Sequence, residues 1–180
     1  MSVRNGLLAL LAAHPAHGYD LRLRYEASTA GTRSVNAGQI YTTLSRLERD
    51  ELIERTADGE DDGDKTVYRL TARGSAELHA WFATPVSGAD IGRDDLLVKI
   101  ALSFETPGID APSVLRAQRQ TTLRTLQELT ARKAQLTDES ALDVQASLDL
   151  LIARAEAEAR WLDLCEARLV RASRRRKAEA

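Results

Sequence analysis

The sequence has little cysteine, proline or aromatic character. Its 180 residues include one cysteine, four prolines and 4% aromatic residues. One thiol excludes an intramolecular disulfide and a thiolate metal cluster, and so few aromatic rings argue against an aromatic-rich cleft or an all-β sandwich. The apolar run over residues 7–13 is too short to span a bilayer, and it lacks a signal-peptide pattern. We therefore expect a cytoplasmic protein with no membrane partner.

Motifs for catalysis and metal binding are also missing. The chain has no Gly-rich phosphate loop, nucleophile elbow or Cys–His pair. His14 and His17 flank Pro15 and so do not share a helix face, and the acidic run over 58–64 lacks the ligand spacing of a calcium loop. We expect neither enzymatic activity nor a bound metal or cofactor.

Charge is balanced overall but unevenly distributed. The formal net charge is −2, yet residues 1–49 carry +3, residues 50–85 carry −5 and residues 86–180 are neutral. The first stretch is therefore the candidate for contact with phosphate groups.

The N-terminal half alternates helical and strand patterns. The predicted elements are helices over 3–13, 19–27 and 36–50, strands over 52–56 and 66–70 around a Gly/Asp turn at 57–65, and a helix from Thr71 to about Ala83. Helix, helix, helix, hairpin, helix is the order of a winged helix-turn-helix, whose third helix enters the DNA major groove.

The third helix has the clearest pattern. Ile40, Leu44 and Leu47 are spaced i, i+4 and i+7, which predicts one buried face, and Asn36 is a plausible N-cap. The opposite face is small, polar and basic. That composition suits a DNA groove, although an ordinary solvated helix face has the same pattern.

The C-terminal half shows only helical patterns, and a linker over 86–93 precedes it. We predict helices over 95–104, 110–136 and 141–173. A heptad row with a flanking second row predicts a dimer interface, formed by Leu148, Leu151, Ile152, Ala155, Ala159, Leu162 and Leu169. The alternative is a helical hairpin that folds back on its own N-terminal domain.

The predicted fold is mainly α with a small β-hairpin wing. An N-terminal winged helix-turn-helix is followed by a C-terminal long-helix dimerisation domain. The corresponding segments are a winged-helix domain over 1–85, a linker over 86–93, a helical dimerisation domain over 94–173 and a basic disordered tail over 174–180.

Five segments resemble motifs of the PadR-type transcriptional regulators, in order and at matching spacing. They are residues 17–21 (HGYDL), 38–47 (GQIYTTLSRL), 52–54 (LIE), 68–74 (YRLTARG) and 94–99 (DDLLVK). One departure is Glu51, which stands where the family usually has glycine after the recognition helix. Because that position commonly takes a left-handed conformation, we expect a cost of about 1 kcal/mol or a differently built turn.

The resemblance implies a homodimeric repressor that binds double-stranded DNA at a pseudo-palindromic operator. Such a repressor is released by a small-molecule effector or by regulated abundance. Trp161 is the candidate effector contact, and the alternative is that it packs between the subunits. The residues expected to read base edges are Gln39, Thr42, Ser45, Arg46 and Arg49. Tyr41 and Arg22 or Arg24 are expected to contact phosphate. Because the acidic wing tip would repel DNA, the wing contacts are assigned to Lys65 and Arg69 at its base.

Two alternatives stay open at this point. A winged helix can lose DNA binding and serve as a protein-interaction module, and the −5 charge over residues 50–85 would suit that role. A MarR-type regulator is also winged, but its dimer helices lie at both ends of the chain.

Overall fold

The computed structural model describes residues 2–29, 34–56, 66–86, 94–136 and 142–178. Its helices are α1 (Ser2–Ala13), α2 (Gly18–Ser28), α3 (Ala37–Arg49), α4 (Ala72–Ala83), α5 (Asp94–Ser103), α6 (Ala111–Ala134) and α7 (Leu142–Ala178). Its strands are β1 (Ala16–His17), β2 (Ile53–Arg55) and β3 (Val67–Leu70). The structure is therefore mainly helical, with one small sheet.

The sheet is antiparallel, with strand order β1-β3-β2. The hairpin of β2 and β3 is the predicted wing, and its predicted turn at 57–65 lies outside the described residues. The sequence did not predict β1, because two residues directly after Pro15 are too few to show the alternation of a strand. β1 joins the segment between α1 and α2 to the wing.

Side-chain caps fix where two helices begin. The Asn36 side-chain oxygen accepts a 2.7 Å hydrogen bond from the backbone N–H of Gln39 at the start of α3. The Thr71 hydroxyl accepts a 3.0 Å bond from the N–H of Gly74 at the start of α4. Both caps satisfy donors that have no partner inside the helix.

The end of α3 is a Schellman turn with glutamate at the left-handed position. Glu51 has φ +60°. The N–H of Leu52 donates to the carbonyl of Leu47 at 2.9 Å, and the N–H of Glu51 donates to the carbonyl of Glu48 at 2.9 Å, which is the bonding pattern of this motif. The turn is thus the usual one, built without its usual glycine.

Gly74 allows α4 to approach this turn closely. A Cβ atom at Gly74 would lie 2.1 Å from the carbonyl oxygen of Leu52. The N–H of Thr71 donates to that same oxygen at 3.1 Å. Only glycine fits where the helix start meets this backbone.

The described elements form two compact units. Unit 1 contains α1 to α4, the sheet and α5, and unit 2 contains α6 and α7. The sequence had placed α5 in the C-terminal domain. In the structure α5 packs against α1, and it buries the apolar side chains Leu96, Val98, Ile100 and Leu102. Residues 87–93 of the predicted linker lie outside the described residues.

The C-terminus also differs from its prediction. Residues 174–178, expected to be a disordered tail, continue α7 to Ala178. Arginine, lysine and alanine are good helix formers, and cations are favourable near a helix C-terminus, so this composition extends the helix.

Candidate nucleic-acid interface

Helix α3 presents a buried apolar face and an exposed polar face. Ile40, Leu44 and Leu47 are fully buried. The five predicted base-reading residues are all exposed on α3: Gln39, Thr42, Ser45, Arg46 and Arg49. The structure therefore brings these five side chains together on one surface, supported by a core that fixes the helix.

The two arginines on this surface have different surroundings. The Arg49 guanidinium donates from Nε and Nη2 to one carboxylate oxygen of Asp50, at 3.1 and 3.0 Å. Arg46 makes no ion pair with any residue that the structure describes. Of the two cations, Arg46 is thus the one whose charge is not offset by a neighbouring carboxylate.

Tyr41 lies at the edge of this surface and is half-buried. Its ring rests on Gly18 at the start of α2, where a Cβ atom would come within 2.7 Å of the Tyr41 ring carbon Cε1. This contact holds α2 and α3 together, so the Tyr41 ring has a packing role beside the predicted phosphate contact.

The structure separates the two arginines predicted as alternatives on α2. Arg22 pairs with Glu26 at 3.2 Å, and the same Glu26 oxygen accepts from the N–H of Val35, which lies just before α3. Arg24 instead contacts the Nε2 of His14 at 2.8 Å, at the end of α1. Arg22 therefore lies on the α3 side of α2, and Arg24 lies on the α1 side.

Tyr19 is a candidate contact that sequence reasoning missed. Its side chain is 56% exposed, and the Arg22 guanidinium lies 5.4 Å from its ring centroid. The sequence did contain a signal for it. The apolar residues of α2 do not follow a helical spacing, so nothing in the pattern places the Tyr19 ring in the core.

The described part of the wing base carries two arginines, Arg55 and Arg69. Lys65 lies outside the described residues, and Arg69 on β3 pairs with Glu54 on β2 at 2.9 Å. Arg55 was not predicted, yet it pairs with Glu48 of α3 at 2.8 Å. Counting two residues on from buried Ile53 would have placed Arg55 on the α3 side of the strand.

In unit 2, polar pairs connect α6 to α7. Arg119 pairs with Asp163 at 2.6 Å, and Lys133 pairs with Asp149 at 2.5 Å. Later residues of α6 thus meet earlier residues of α7, so the two helices form an antiparallel hairpin. The hydrogen bond from Arg119 to Asp163 raises the pKa of the guanidinium.

A buried amide adds a third connection within unit 2. The Gln118 side chain accepts from the N–H of Val86 at 2.8 Å and donates to the Val86 carbonyl at 3.0 Å. It also donates to Glu158 of α7 at 3.2 Å. This side chain holds the segment after α4 onto the hairpin.

The predicted dimer rows on α7 are largely occupied within one chain. Leu148, Ala155 and Leu162 are buried in the single chain, with Leu162 only 1% exposed. The remaining predicted interface residues are half-buried: Leu151, Ile152, Ala159 and Leu169. The heptad row therefore serves the hairpin, because an antiparallel helix of the same chain satisfies the same spacing as a second copy does.

Another face of α7 is exposed and apolar. Leu150 and Leu164 are 52% and 58% exposed, and Ala153 and Ala157 are exposed between them. Trp161 lies half-buried beside this face. Burial raises the pKa of the Cys165 thiol, one residue after Leu164, which disfavours the reactive thiolate.

None of the helices in the described part of the chain combines the length and the apolar character that crossing a bilayer requires.

Three helices, a two-stranded wing and an exposed polar face on the third helix define a winged helix-turn-helix protein with a helical C-terminal domain. Residues 7–80 match the family described as "Transcriptional regulator PadR-like family", and residues 92–170 match "Virulence activator alpha C-term". The chain belongs to the PadR-like family of transcriptional regulators.

The chain is similar to named proteins over most of its length. It is 29% identical to the "Probable transcriptional regulator Rv1176c" of Mycobacterium tuberculosis, with 91% of this chain and 95% of that protein covered. The Bacillus subtilis PadR structure with operator DNA is 21% identical, with 93% and 98% of the two chains covered and a TM-score of 0.44. The structure of that PadR with p-coumaric acid is 20% identical, with the same coverage and a TM-score of 0.42.

Proposed function

We propose that this regulator is a repressor that binds a pseudo-palindromic operator in double-stranded DNA as a homodimer. The observation that carries the proposal is the exposed polar and basic face of α3, mounted on fully buried Ile40, Leu44 and Leu47. A helix fixed in this way can enter a major groove without losing its orientation.

The exposed side chains divide by their chemistry. The guanidinium of Arg46 or of Arg49 can donate two hydrogen bonds to O6 and N7 of a guanine, and the Gln39 amide can form two hydrogen bonds with an adenine. Thr42 and Ser45 are small enough for the helix to approach base edges. The DNA backbone flanks the groove, so the phosphate contacts are assigned to residues at the periphery of this surface, namely Arg22, Tyr19 and Tyr41. Such contacts position the protein without specifying sequence.

A titration of DNA binding tests this assignment. Fluorescence anisotropy is measured with labelled DNA from upstream of the protein's own gene, with a scrambled duplex as control. We expect preferential binding to the native DNA, and a roughly 100-fold loss of affinity in Arg46→Ala plus Arg49→Ala. Arg124→Ala plus Arg132→Ala removes the same charge from exposed positions on α6 and should have a far smaller effect.

Two outcomes would contradict this proposal. Unchanged affinity in the α3 double variant would remove the base-reading role of that helix. Absence of binding to either DNA at low salt would contradict DNA recognition itself and would favour a protein-interaction module.

The dimer is assigned to the exposed face of α7. Ala146, Leu150, Ala153, Ala157 and Leu164 are spaced by four, three, four and seven residues and are all exposed. This is the seam spacing of a coiled coil, and its small residues permit close approach of a second helix. A second copy of the chain is therefore proposed to cover this face rather than the row of Leu148, Ala155 and Leu162.

An effector is proposed to act through Trp161, which lies next to this face. Binding of aromatic acids, with p-coumaric acid as the first probe, is measured by calorimetry and by release of labelled DNA. We expect Trp161→Ala to abolish the effect and Trp81→Ala, on α4, to preserve it. Release that is identical in the wild type and Trp161→Ala would exclude Trp161 from the effector site.

A further inference from the structure

Arg55 and Glu48 form a two-pronged ion pair between the wing and the recognition helix. The Arg55 Nε lies 2.8 Å from one carboxylate oxygen of Glu48, and its Nη2 lies 3.1 Å from the other. A bidentate pair fixes the plane of the guanidinium as well as its position. Since Glu48 belongs to α3 and Arg55 to β2, the pair sets a wing residue against the helix that carries the base-reading face.

The alternation of the strands determines which wing arginine lies beside α3. Arg55 shares a sheet face with Ile53, which is buried, whereas Glu54 points to the opposite face. Arg69 is directly opposite Glu54 in the strand register and pairs with it. Arg55 is therefore on the α3 side of the wing, and Arg69 is on the other side.

A buried tyrosine completes the arrangement. Tyr68 is opposite Arg55 in the register. Burial raises the pKa of the Tyr68 hydroxyl, while the Arg55 charge lowers it and the Glu48 charge raises it. The Glu48 carboxylate thus fixes the guanidinium on the sheet face that carries Tyr68, although the side chain of Arg55 remains 53% exposed.

We propose that Arg55 is a phosphate-contacting residue of the DNA interface and that Glu48 is the positioning residue that orients it. This inference rests on the proposed function, since it needs α3 to lie in the groove. Glu48 is three residues after Ser45, at the edge of the exposed face, so a strand of DNA backbone flanking that groove would pass Arg55.

The first experiment compares two charge-matched variants. Arg73 is also an exposed arginine paired with a glutamate, Glu51, at 3.0 Å, but it lies on α4. Affinity for the operator is measured by anisotropy across a salt series for the wild type, Arg55→Gln and Arg73→Gln. We expect Arg55→Gln to weaken binding about tenfold and to reduce the salt slope by about one. Arg73→Gln should leave the slope unchanged.

The second experiment tests the positioning role of Glu48. Removing an acidic group near DNA normally strengthens binding, so Glu54→Gln, on the other sheet face, should raise affinity slightly. Glu48→Gln should instead lose the same unit of salt slope that Arg55→Gln loses. In the Glu48→Gln background, Arg55→Gln should then have little further effect, which a double-mutant cycle measures.

The outcomes separate this inference from the proposed function. If the wild type binds the operator and Arg55→Gln matches Arg73→Gln in affinity and slope, the role of Arg55 is excluded while the repressor proposal stands. If Glu48→Gln raises affinity as Glu54→Gln does, Glu48 is not a positioning residue. Thermal melts of each variant identify any loss of fold, and Arg55→Lys then replaces Arg55→Gln, with an expected loss of affinity because lysine cannot form the fork.

Discussion

The two units of this chain differ in the contacts that stabilise each of them internally. Unit 1 fully buries large apolar side chains such as Leu8, Leu21, Ile40 and Leu78. In the described part of unit 2, the buried apolar side chains are Val114, Leu115, Leu148, Ala155, Leu162 and Cys165. Its two helices share this smaller apolar contact and several polar pairs, and α7 leaves a row of apolar residues exposed.

This difference separates a unit with a large apolar core of its own from a unit that we propose is completed by a second copy of the chain. The buried apolar side chains of unit 1, which include the inner face of α3, hold the recognition helix in one orientation. The exposed pairs of unit 2 contribute little, since surface ion pairs are each worth about 0–1 kcal/mol. Two long helices with a narrow apolar contact gain stability from association, so the hairpin is the part that is expected to depend on a second copy.

The largest expected effect tests how tightly unit 1 is packed. Gly74→Ala places a Cβ atom 2.1 Å from the Leu52 carbonyl oxygen, and a backbone atom cannot move away at low cost. We expect the free energy of unfolding to fall by upward of about 3 kcal/mol. Urea denaturation measures it. Gly38→Ala, whose Cβ atom would meet nothing closer than 3.4 Å, should be neutral or stabilising.

The next effect separates the two faces of α7. Leu162→Ala removes a side chain buried in the single chain and should destabilise unit 2 by about 2–3 kcal/mol. Leu150→Ala plus Leu164→Ala removes exposed side chains and should leave the unfolding of a dilute single chain almost unchanged while shifting the protein toward monomer. Sedimentation velocity measures the second effect. If Leu162→Ala alone weakened the dimer without lowering the free energy of unfolding, the dimer interface would instead lie on the row of Leu148, Ala155 and Leu162.

Unit 1 also buries a charged side chain, which departs from its mainly apolar core. Lys99 is 1% exposed, and its Nζ donates to the backbone carbonyls of Trp81, at 2.6 Å, and Thr84 at the end of α4. Burial lowers the pKa of Lys99 from 10.5 to about 8. Between these values the unfolded chain binds a proton that the folded chain has released.

Stability should therefore rise with pH above about 8, by at most about 1.4 kcal/mol per pH unit. Above pH 10 the raised pKa of Tyr68 acts in the opposite direction, so the usable window is pH 8–10. Urea denaturation at pH 7, 8, 9 and 10 measures the slope. Lys99→Met should abolish the rise, and a rise that persists in Lys99→Met would assign it to other groups.

Local patterns made much of unit 1 predictable. The Asn36 and Thr71 caps and the apolar spacing of α3 act over a few residues, so the sequence displays them directly. The core face of α3 was predicted in full. Strand β1 was not, because pairing with β3 is a long-range property that two residues cannot encode in their spacing.

The sequence could not predict which helices and strands pack against one another. A heptad row identifies an apolar face of α7 but not which helix covers it, so Leu148, Ala155 and Leu162 were assigned to a second chain. The helical spacing of α5 likewise could not say which unit it joins. The Arg55 fork depends on register and on the distance between α3 and β2, which only the folded chain provides.

The smallest effect concerns the turn that ends the recognition helix. Glu51 holds a left-handed conformation with φ +60°, which costs a side-chain-bearing residue about 1 kcal/mol relative to glycine. Its carboxylate recovers part of this through the exposed pair with Arg73 at 3.0 Å. We expect Glu51→Gly to raise the free energy of unfolding by up to about 1 kcal/mol, measured by urea denaturation. Glu51→Ala keeps the strained backbone and loses the ion pair, so it should be slightly destabilising. If both variants destabilise equally, the ion pair outweighs the backbone term, and the turn after α3 owes its stability to Arg73 rather than to the tight local geometry that characterises the rest of unit 1.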